Sequence, residues 1–198
     1  EIGQWNFARL LEAVSPLMTE PNRLYEALDL YESSFQKYNN CMWANKLGLG
    51  DFAQDDEELI TELVSIMQKV ETDMTIFFRL LSSISQPEIG HLQFAFYDVE
   101  NIPVEEWNRW LNKWWSRVDG KPDQKAMKQA NPKFVLRNWM AQLAIDAAEK
   151  DDYTIAIQLH ELLKKPYDEQ PDSESDWFQK RPEWARHRVG CSMLSCSS

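Results

Sequence analysis

Residues 103–118 read PVEEWNRWLNKWWSRV, and this stretch decides the fold class of the chain. A proline followed by two glutamates is typical of the first turn of a helix, where the helix dipole favours negative charge. Large apolar residues then recur every three or four positions, at Trp107, Trp110, Leu111, Trp114 and Val118. This spacing predicts one apolar helix face, which is more often part of a core than a ligand platform. Trp115 lies off that face and could reach a neighbouring domain.

Apolar stripes with the same period occur along most of the chain. They run through residues 5–18, 24–42, 59–70, 76–84 and 136–147. We expect Gly48 and Gly50 to end the second stripe, and Asn131-Pro132 to cap the last one with proline at the first helical position. Residues 85–102 lack this period and leave room for a short extended piece. The sequence therefore predicts an all-α protein of about seven to nine helices.

Composition divides the chain into two parts. Residues 1–164 contain the periodic stripes and form the predicted helical domain. Residues 165–198 begin as an acidic loop rich in Asp, Glu, Pro and Ser, and continue as a basic, cysteine-bearing tail that we expect to be mobile. The chain opens at Glu1 with neither a start Met nor a signal segment, so we expect it to derive from a longer polypeptide.

The net charge limits the classes of partner. Against 21 Lys and Arg there are 32 Asp and Glu, which gives a formal charge of −11. Nucleic acids and anionic membranes attract the opposite sign, so we expect neither as a partner. No apolar run approaches the roughly 20 residues that span a bilayer. Three cysteines are too few for a disulfide framework and indicate a reducing, cytoplasmic location.

No complete catalytic centre can be recognised in the sequence. Gly-rich phosphate loops and the His-Arg-Asp and Asp-Phe-Gly triplets of kinases are missing. The histidines at 91, 160 and 187 stand far apart and lack metal-ligand spacing. The acidic run 51–58 could bind a metal, but it fits the first turn of a helix better. We therefore expect no catalytic, cofactor-binding or metal-binding residue in this segment.

The C-terminal tail contains the candidate reactive groups. A thiol reacts as its thiolate, which nearby positive charge favours. Arg181, Arg186 and Arg188 precede two cysteines, Cys191 and Cys196. Local sequence leaves two alternatives open at equal weight, a reactive thiol and an incidental terminal cysteine.

Several blocks of sequence resemble a known family. Residues 131–146 read NPKFVLRNWMAQLAID and are followed by AAEKD at 147–151. The opening GQWNFARL at 3–10, RPEWA at 181–185 and the ending CSS at 196–198 complete the pattern. From end to end, the chain resembles the selenoprotein O (SelO) family.

The resemblance implies a fold and an activity that spacing alone does not. Members of the SelO family have a protein-kinase-like fold, and this chain would be the C-terminal helical part of its C-lobe. They bind ATP in an inverted pose and transfer AMP to hydroxyl side chains of target proteins, with Mg²⁺ holding the phosphates. The family's ATP and Mg²⁺ residues would lie before Glu1, so the 198-residue segment alone is expected to be inactive. Its implied partners are its own N-terminal kinase-like part and proteins that present Ser, Thr or Tyr hydroxyls.

The resemblance also gives Cys196 a role. This position corresponds to selenocysteine in many eukaryotic members, and here it is cysteine, which implies a bacterial-type member with a redox function at Cys196. The alternative is a non-enzymatic helical interaction module. Its partner surfaces would be Trp115, the acidic run 51–58 and the acidic loop 168–176.

Overall fold

The computed structural model describes residues 2–18, 20 and 22–191, and its regular structure is helical. In this described part the α-helices are α1 (Ile2–Val14), α2 (Asn22–Leu47), α3 (Asp56–Met67), α4 (Met74–Leu81), α5 (Val104–Arg117), α6 (Gln124–Ala130), α7 (Asn138–Ala148), α8 (Thr154–Leu163), α9 (Glu174–Trp177) and α10 (Glu183–Arg186). Short 3-10 helices occupy Ser15–Leu17, Ile89–Ala95 and Pro171–Ser173. The all-α prediction is confirmed.

The irregular stretch 85–102 contains very little extended structure. Its centre is the 3-10 helix Ile89–Ala95. An isolated antiparallel bridge joins Thr72 to Phe96 at its end. The tail that we expect to be mobile includes residues 192–198, which lie outside the described residues.

Helix α5 forms the centre of the core. As its spacing predicts, Trp107, Trp110, Leu111 and Trp114 are all buried. The indole of Trp110 donates to the carbonyl of Leu59 in α3 at 2.8 Å, and that of Trp114 donates to the last carbonyl of α2 at 2.8 Å. These two rings stack, with centroids 6.2 Å apart. A buried indole N–H usually finds an acceptor, and the two acceptors found here connect α5 to α2 and α3.

The start of α4 is fixed by a buried carboxylate. Asp73 accepts a hydrogen bond from the backbone N–H of Ile76, as an N-cap does. It also pairs with Arg137, whose Nη2 lies 2.8 Å from Oδ1. The apolar face that follows is buried, and Phe77 packs against Trp107 with ring centroids 5.1 Å apart.

The acidic run 51–58 has the structural role that its sequence favours. Asp56, Glu57 and Glu58 form the first turn of α3. Asp56 is buried, accepts from the backbone N–H of Ala53 at 2.7 Å and pairs with Arg117 at 2.7 Å. The run therefore begins a helix and joins it to α5.

The predicted cap at Asn131-Pro132 is wrong. Residues 131–137 are not helical, and α7 begins only at Asn138 with Arg137 at the N-cap position. Leu136, which the period placed on the helix, lies outside it and is exposed. The reason is that the Asn131 side chain bonds to α2 and α4 instead of to its own segment.

Helices α1 and α2 form a hairpin that is buried only near its end. Phe7 stacks on Tyr31 at 5.0 Å between ring centroids, but no residue of α1 is buried. The buried residues of α2, Ala44 and Leu47, both belong to its final turn. The predicted stripe on α2 is therefore helical, but much of it is not buried by the described residues, and Tyr38 is 70% exposed.

Candidate functional site

The family-like block at 131–146 begins at a buried junction between three segments. Asn131 is 1% exposed, and its amide donates to the carbonyl of Lys46 at 2.9 Å and to the Ser82 hydroxyl at 3.2 Å. Its side-chain oxygen accepts from Lys46 Nζ at 3.0 Å, and its backbone carbonyl accepts from Arg79 at 3.1 Å. One amide thus joins the end of α2 to the end of α4. We call these four residues the Asn131 junction.

A lysine of this junction is partly desolvated. Burial lowers the pKa of Lys46, and its ammonium lies 4.2 Å from the centroid of the Phe78 ring. The cavity beside it measures about 110 Å³. Pockets for small molecules usually measure about 300 Å³ or more, so this cavity is too small for a nucleotide.

Next to the junction, three cations converge on one glutamate of the acidic loop. Glu169 accepts from Arg79 at 2.7 Å, from Lys128 at 2.9 Å and from Lys133 at 3.1 Å. Arg79 and Lys133 are 4 and 5% exposed, so their charges require a partner. Lys133 also pairs with Glu174 at 2.8 Å. The predicted acidic loop is thus bound to the body of the protein through Glu169 and Glu174.

The electrostatics of Glu169 follow from these contacts. Partial burial alone would raise its pKa, but hydrogen bonds from Lys128 and Lys133 and the charge of Arg79 lower it to about 2. The carboxylate therefore stays ionised far below neutral pH.

The basic segment around residues 180–188 lies against Tyr97. Lys180, Arg181 and Arg186 are each within 5.4 to 5.7 Å of its ring centroid. Arg181 and Arg186 also pair with Glu71, at 2.7 and 3.1 Å. Burial raises the pKa of Tyr97, so its hydroxyl remains protonated at neutral pH. This hydroxyl accepts from the backbone N–H of Arg181 at 2.9 Å.

The arginines of this segment are engaged by carboxylates instead of being available to a thiol. Glu71 binds two of them, and Arg188 pairs with Asp146 in α7 at 2.7 Å. Cys191 is buried, and its backbone carbonyl accepts from Asn138 at 3.3 Å. The redox candidate Cys196 lies outside the described residues.

The surfaces of the alternative interaction module are partly used within the chain. Trp115 packs against the core, edge-on to Trp114 at 5.8 Å between ring centroids. Asp56 and Glu169 from the two acidic segments bind arginine and lysine side chains of the same molecule. These contacts reduce what the three surfaces could offer to a partner.

Two grooves lie between α3 and α5. They measure about 280 and 250 Å³ and share Glu62 in their lining. Arg109 lines the first groove, and Lys113 and Arg117 line the second, where they pair with Glu62 and Asp56. Both grooves therefore keep only a small excess of carboxylates. Throughout the described ranges, no three His, Cys, Asp or Glu side chains are arranged to hold a metal ion.

Sequence reasoning missed the junction and the bound glutamate because their contacts are distant along the chain. The Asn131 amide reaches residues 49 and 85 positions away, and Arg79 reaches Glu169 across 90 positions. Local periodicity cannot predict contacts between residues that lie this far apart in the sequence. The one available signal was the unusual family-like block itself.

The fold and the junction define an all-α module held by a buried aromatic stripe and by ion pairs to its own acidic loop. None of the helices in the described part is long and apolar enough to cross a membrane. A family model described as "Protein adenylyltransferase SelO" matches residues 1–164, so this chain belongs to the SelO family.

Curated relatives agree with this assignment. Proteins named "Protein nucleotidyltransferase YdiU" from Flavobacterium johnsoniae, Rhodopirellula baltica and Aromatoleum aromaticum are 43, 42 and 42% identical to the chain. Each comparison covers 100% of this chain but only 40, 41 and 39% of the relative. The chain therefore spans about two fifths of the length of these relatives.

The bound glutamate predicts a specific pH dependence. The pKa of Glu169 falls from its ordinary 4.5 to about 2, so its stabilising effect is complete above about pH 4.5 and is lost as the pH falls towards 2. Because the side chain is 54% exposed, solvent screening reduces the effect, and Glu169→Gln should lower the free energy of unfolding by about 1–2 kcal/mol at pH 7.

Urea unfolding between pH 7 and pH 3 measures this difference. The difference in the free energy of unfolding between the parent chain and Glu169→Gln should become smaller below pH 4.5. The matched control is Glu183→Gln, whose side chain is 81% exposed and should change stability by less than about 0.5 kcal/mol. If this difference stays constant with pH, or if it equals the difference measured for Glu183→Gln, the three cations do not stabilise the loop.

Proposed function

We propose that this chain is the C-terminal, non-catalytic part of a protein adenylyltransferase that transfers AMP from ATP to hydroxyl side chains of target proteins. The observation that carries the proposal is the SelO family match over residues 1–164. The nucleotidyltransferase relatives, which align with the whole chain, add support. A protein with the relatives' length would have about three fifths of its residues outside this chain.

The proposal assigns ATP and Mg²⁺ to the part of the protein outside this chain. Phosphoryl chemistry of this kind depends on positioning and on neutralising phosphate charge with metal ions and cations. Two observations on the described residues support this assignment. They hold no group of three His, Cys, Asp or Glu side chains that could bind a metal ion, and in the grooves at α3 and α5 carboxylates outnumber the cations Arg109, Lys113 and Arg117.

The role proposed for the segment is that of a scaffold in the C-lobe of a kinase-like fold. Two features support it. The aromatic stripe of α5 gives a rigid core, and the Asn131 junction fixes the last turn of α2 to the acidic loop through Arg79 and Lys133. A scaffold requires this kind of fixed geometry, because catalytic groups must be held within a fraction of an ångström.

AMP transfer by the full-length protein tests the activity. Incubation with labelled ATP and Mg²⁺ should place label on protein, either on added targets or on the enzyme itself. The 198-residue chain under the same conditions should remain unlabelled, because the proposal places the ATP and Mg²⁺ residues outside it. Label on no protein at all would refute the proposed activity, and labelling by the short chain alone would refute its non-catalytic role.

We also propose that Cys196 is a redox element of the full-length protein and that the protein works in a reducing, cytoplasmic compartment. The support for Cys196 is its match to the family's terminal position. Cys41 and Cys191 are both free, as is usual for proteins of reducing compartments.

Substitution of single cysteines tests the redox proposal. Cys196→Ser should change the sensitivity of AMP transfer to a mild oxidant at least about threefold, since a serine hydroxyl cannot enter the thiol oxidation series. The matched control is Cys41→Ser, which removes an exposed thiol on α2 and should leave the response unchanged. If both variants and the parent protein respond to the oxidant in the same way, Cys196 has no redox role in AMP transfer.

A further inference from the structure

The hairpin of α1 and the first half of α2 exposes an unusual amount of apolar surface. We define the hairpin surface as residues 2–14 and 22–38. In α1, eight of the 13 residues are apolar: Ile2, Trp5, Phe7, Ala8, Leu10, Leu11, Ala13 and Val14. None of them is buried, and Trp5 and Leu10 are 61 and 57% exposed. A soluble protein seldom exposes contiguous apolar groups on this scale without a partner.

The apolar residues of α1 lie on two opposite sides of the helix. Phe7, Leu11 and Val14 follow helical spacing on the side where Phe7 stacks on Tyr31 of α2. Trp5 lies two residues before Phe7, about 160° away around the helix at 3.6 residues per turn. A helix that is apolar on both sides is usually buried on both sides. Among the described residues, α1 packs on α2 through its Phe7 side, and Trp5 is left 61% exposed.

The uncovered side forms a groove with the size and chemistry of a protein-packing site. Its lining consists of Ile2, Gln4, Trp5, Ala8 and Leu28, and its volume is about 550 Å³. Four of these five side chains are apolar. Farther along α2, Tyr25, Leu30 and Phe35 are also exposed.

The charge of the hairpin identifies the chemistry of the partner. The charged side chains of α1 are Arg9 and Glu12, which pair with each other at 2.6 Å, so the helix is neutral in a chain of net charge −11. A helix that binds an anionic membrane carries Lys and Arg along its polar face. Residues 22–38 add two basic and three acidic side chains, which gives the hairpin surface a net charge of −1. The surface therefore lacks a basic face and instead suits an apolar protein surface.

We infer that the hairpin surface packs permanently against the part of the same protein that lies outside this chain. The inference rests on the proposed function, which places that catalytic part in one polypeptide with these helices. The matched relatives are about two and a half times as long as the segment they share with this chain, so enough protein exists to cover the hairpin. Burial on two sides is typical of a permanent interface, which resembles a domain core.

This packing gives α2 a function beyond its own stability. The helix has 26 residues and is therefore about 39 Å long. Its N-terminal half lies in the hairpin surface, whereas in its last turn the Lys46 carbonyl accepts from the Asn131 amide and the Leu47 carbonyl accepts from the Trp114 indole. The helix thus connects the catalytic part directly to the Asn131 junction.

The experiment compares two aspartate variants of the full-length protein. Ile2→Asp places a charge in the groove, and Ile157→Asp makes the same substitution on α8, where the side chain is 61% exposed against 79% for Ile2 in this chain. A buried, unpaired charge is strongly destabilising. The thermal midpoint should fall by about 5 °C or more for Ile2→Asp and by no more than about 1 °C for Ile157→Asp. Equal midpoints for the two variants would overturn the inference.

A second measurement uses the full-length protein without substitutions, so it does not depend on whether a variant folds. Hydroxyl-radical footprinting should leave Trp5 nearly unmodified, at most about a tenth of the rate of an exposed tryptophan. Modification of Trp5 at the exposed rate would contradict the inference. So would protection that appears only in dimers by sedimentation, or only on phosphatidylserine vesicles, because a second copy or a membrane would then be the occupant.

AMP transfer, measured on the same samples, separates this inference from the proposed function. A protected Trp5 in a protein that transfers no AMP would refute the activity and leave the interface standing. An exposed Trp5 in an active enzyme would refute the interface and leave the activity standing.

Discussion

The arrangement of the described helices depends on the hydrogen bonds of one buried amide, that of Asn131. A buried side-chain amide is favourable only when its donors and acceptor are satisfied. Asn131 meets this condition with Lys46 at the end of α2 and Ser82 at the end of α4, while Arg79 binds its backbone carbonyl. Because the partners come from separate helices, the bonds fix the helices relative to one another as well as satisfying the amide.

The same junction determines where the acidic loop lies. Arg79 is buried by the packing of α4, and its Nη2 donates to the Glu169 carboxylate. Lys133, two residues after Asn131, binds Glu169 and Glu174. Without the Glu169 carboxylate, the buried charges of Arg79 and Lys133 would lose a partner. The free-energy cost of leaving such charges uncompensated is larger than the net stability that the ion pair contributes. The loop is thereby connected to the scaffold that we propose for the adenylyltransferase, although its composition alone resembles that of a solvated linker.

Sequence predicted the parts of this structure that depend on local period. The Trp107, Trp110 and Trp114 stripe is a core face as expected, because its spacing alone places it on one side of a helix. The Asn131 cap was wrong because distant partners outcompeted a local capping bond. The stripe on α2 was helical but not buried, because period shows which residues share a face and not what covers that face. The family of the chain was correctly identified from short blocks, and the redox assignment of Cys196 remains a prediction.

The central claim is that the Asn131 amide holds α2 and α4 together, and urea unfolding of Asn131→Ala tests it most directly. The substitution removes three side-chain hydrogen bonds and leaves the buried Lys46 carbonyl without this donor, so the free energy of unfolding should fall by about 2–4 kcal/mol. Asn101→Ala, which removes an exposed amide bonded to Asp98, is the matched control and should cost less than about 1 kcal/mol. A loss for Asn131→Ala no larger than that of the control would contradict the account.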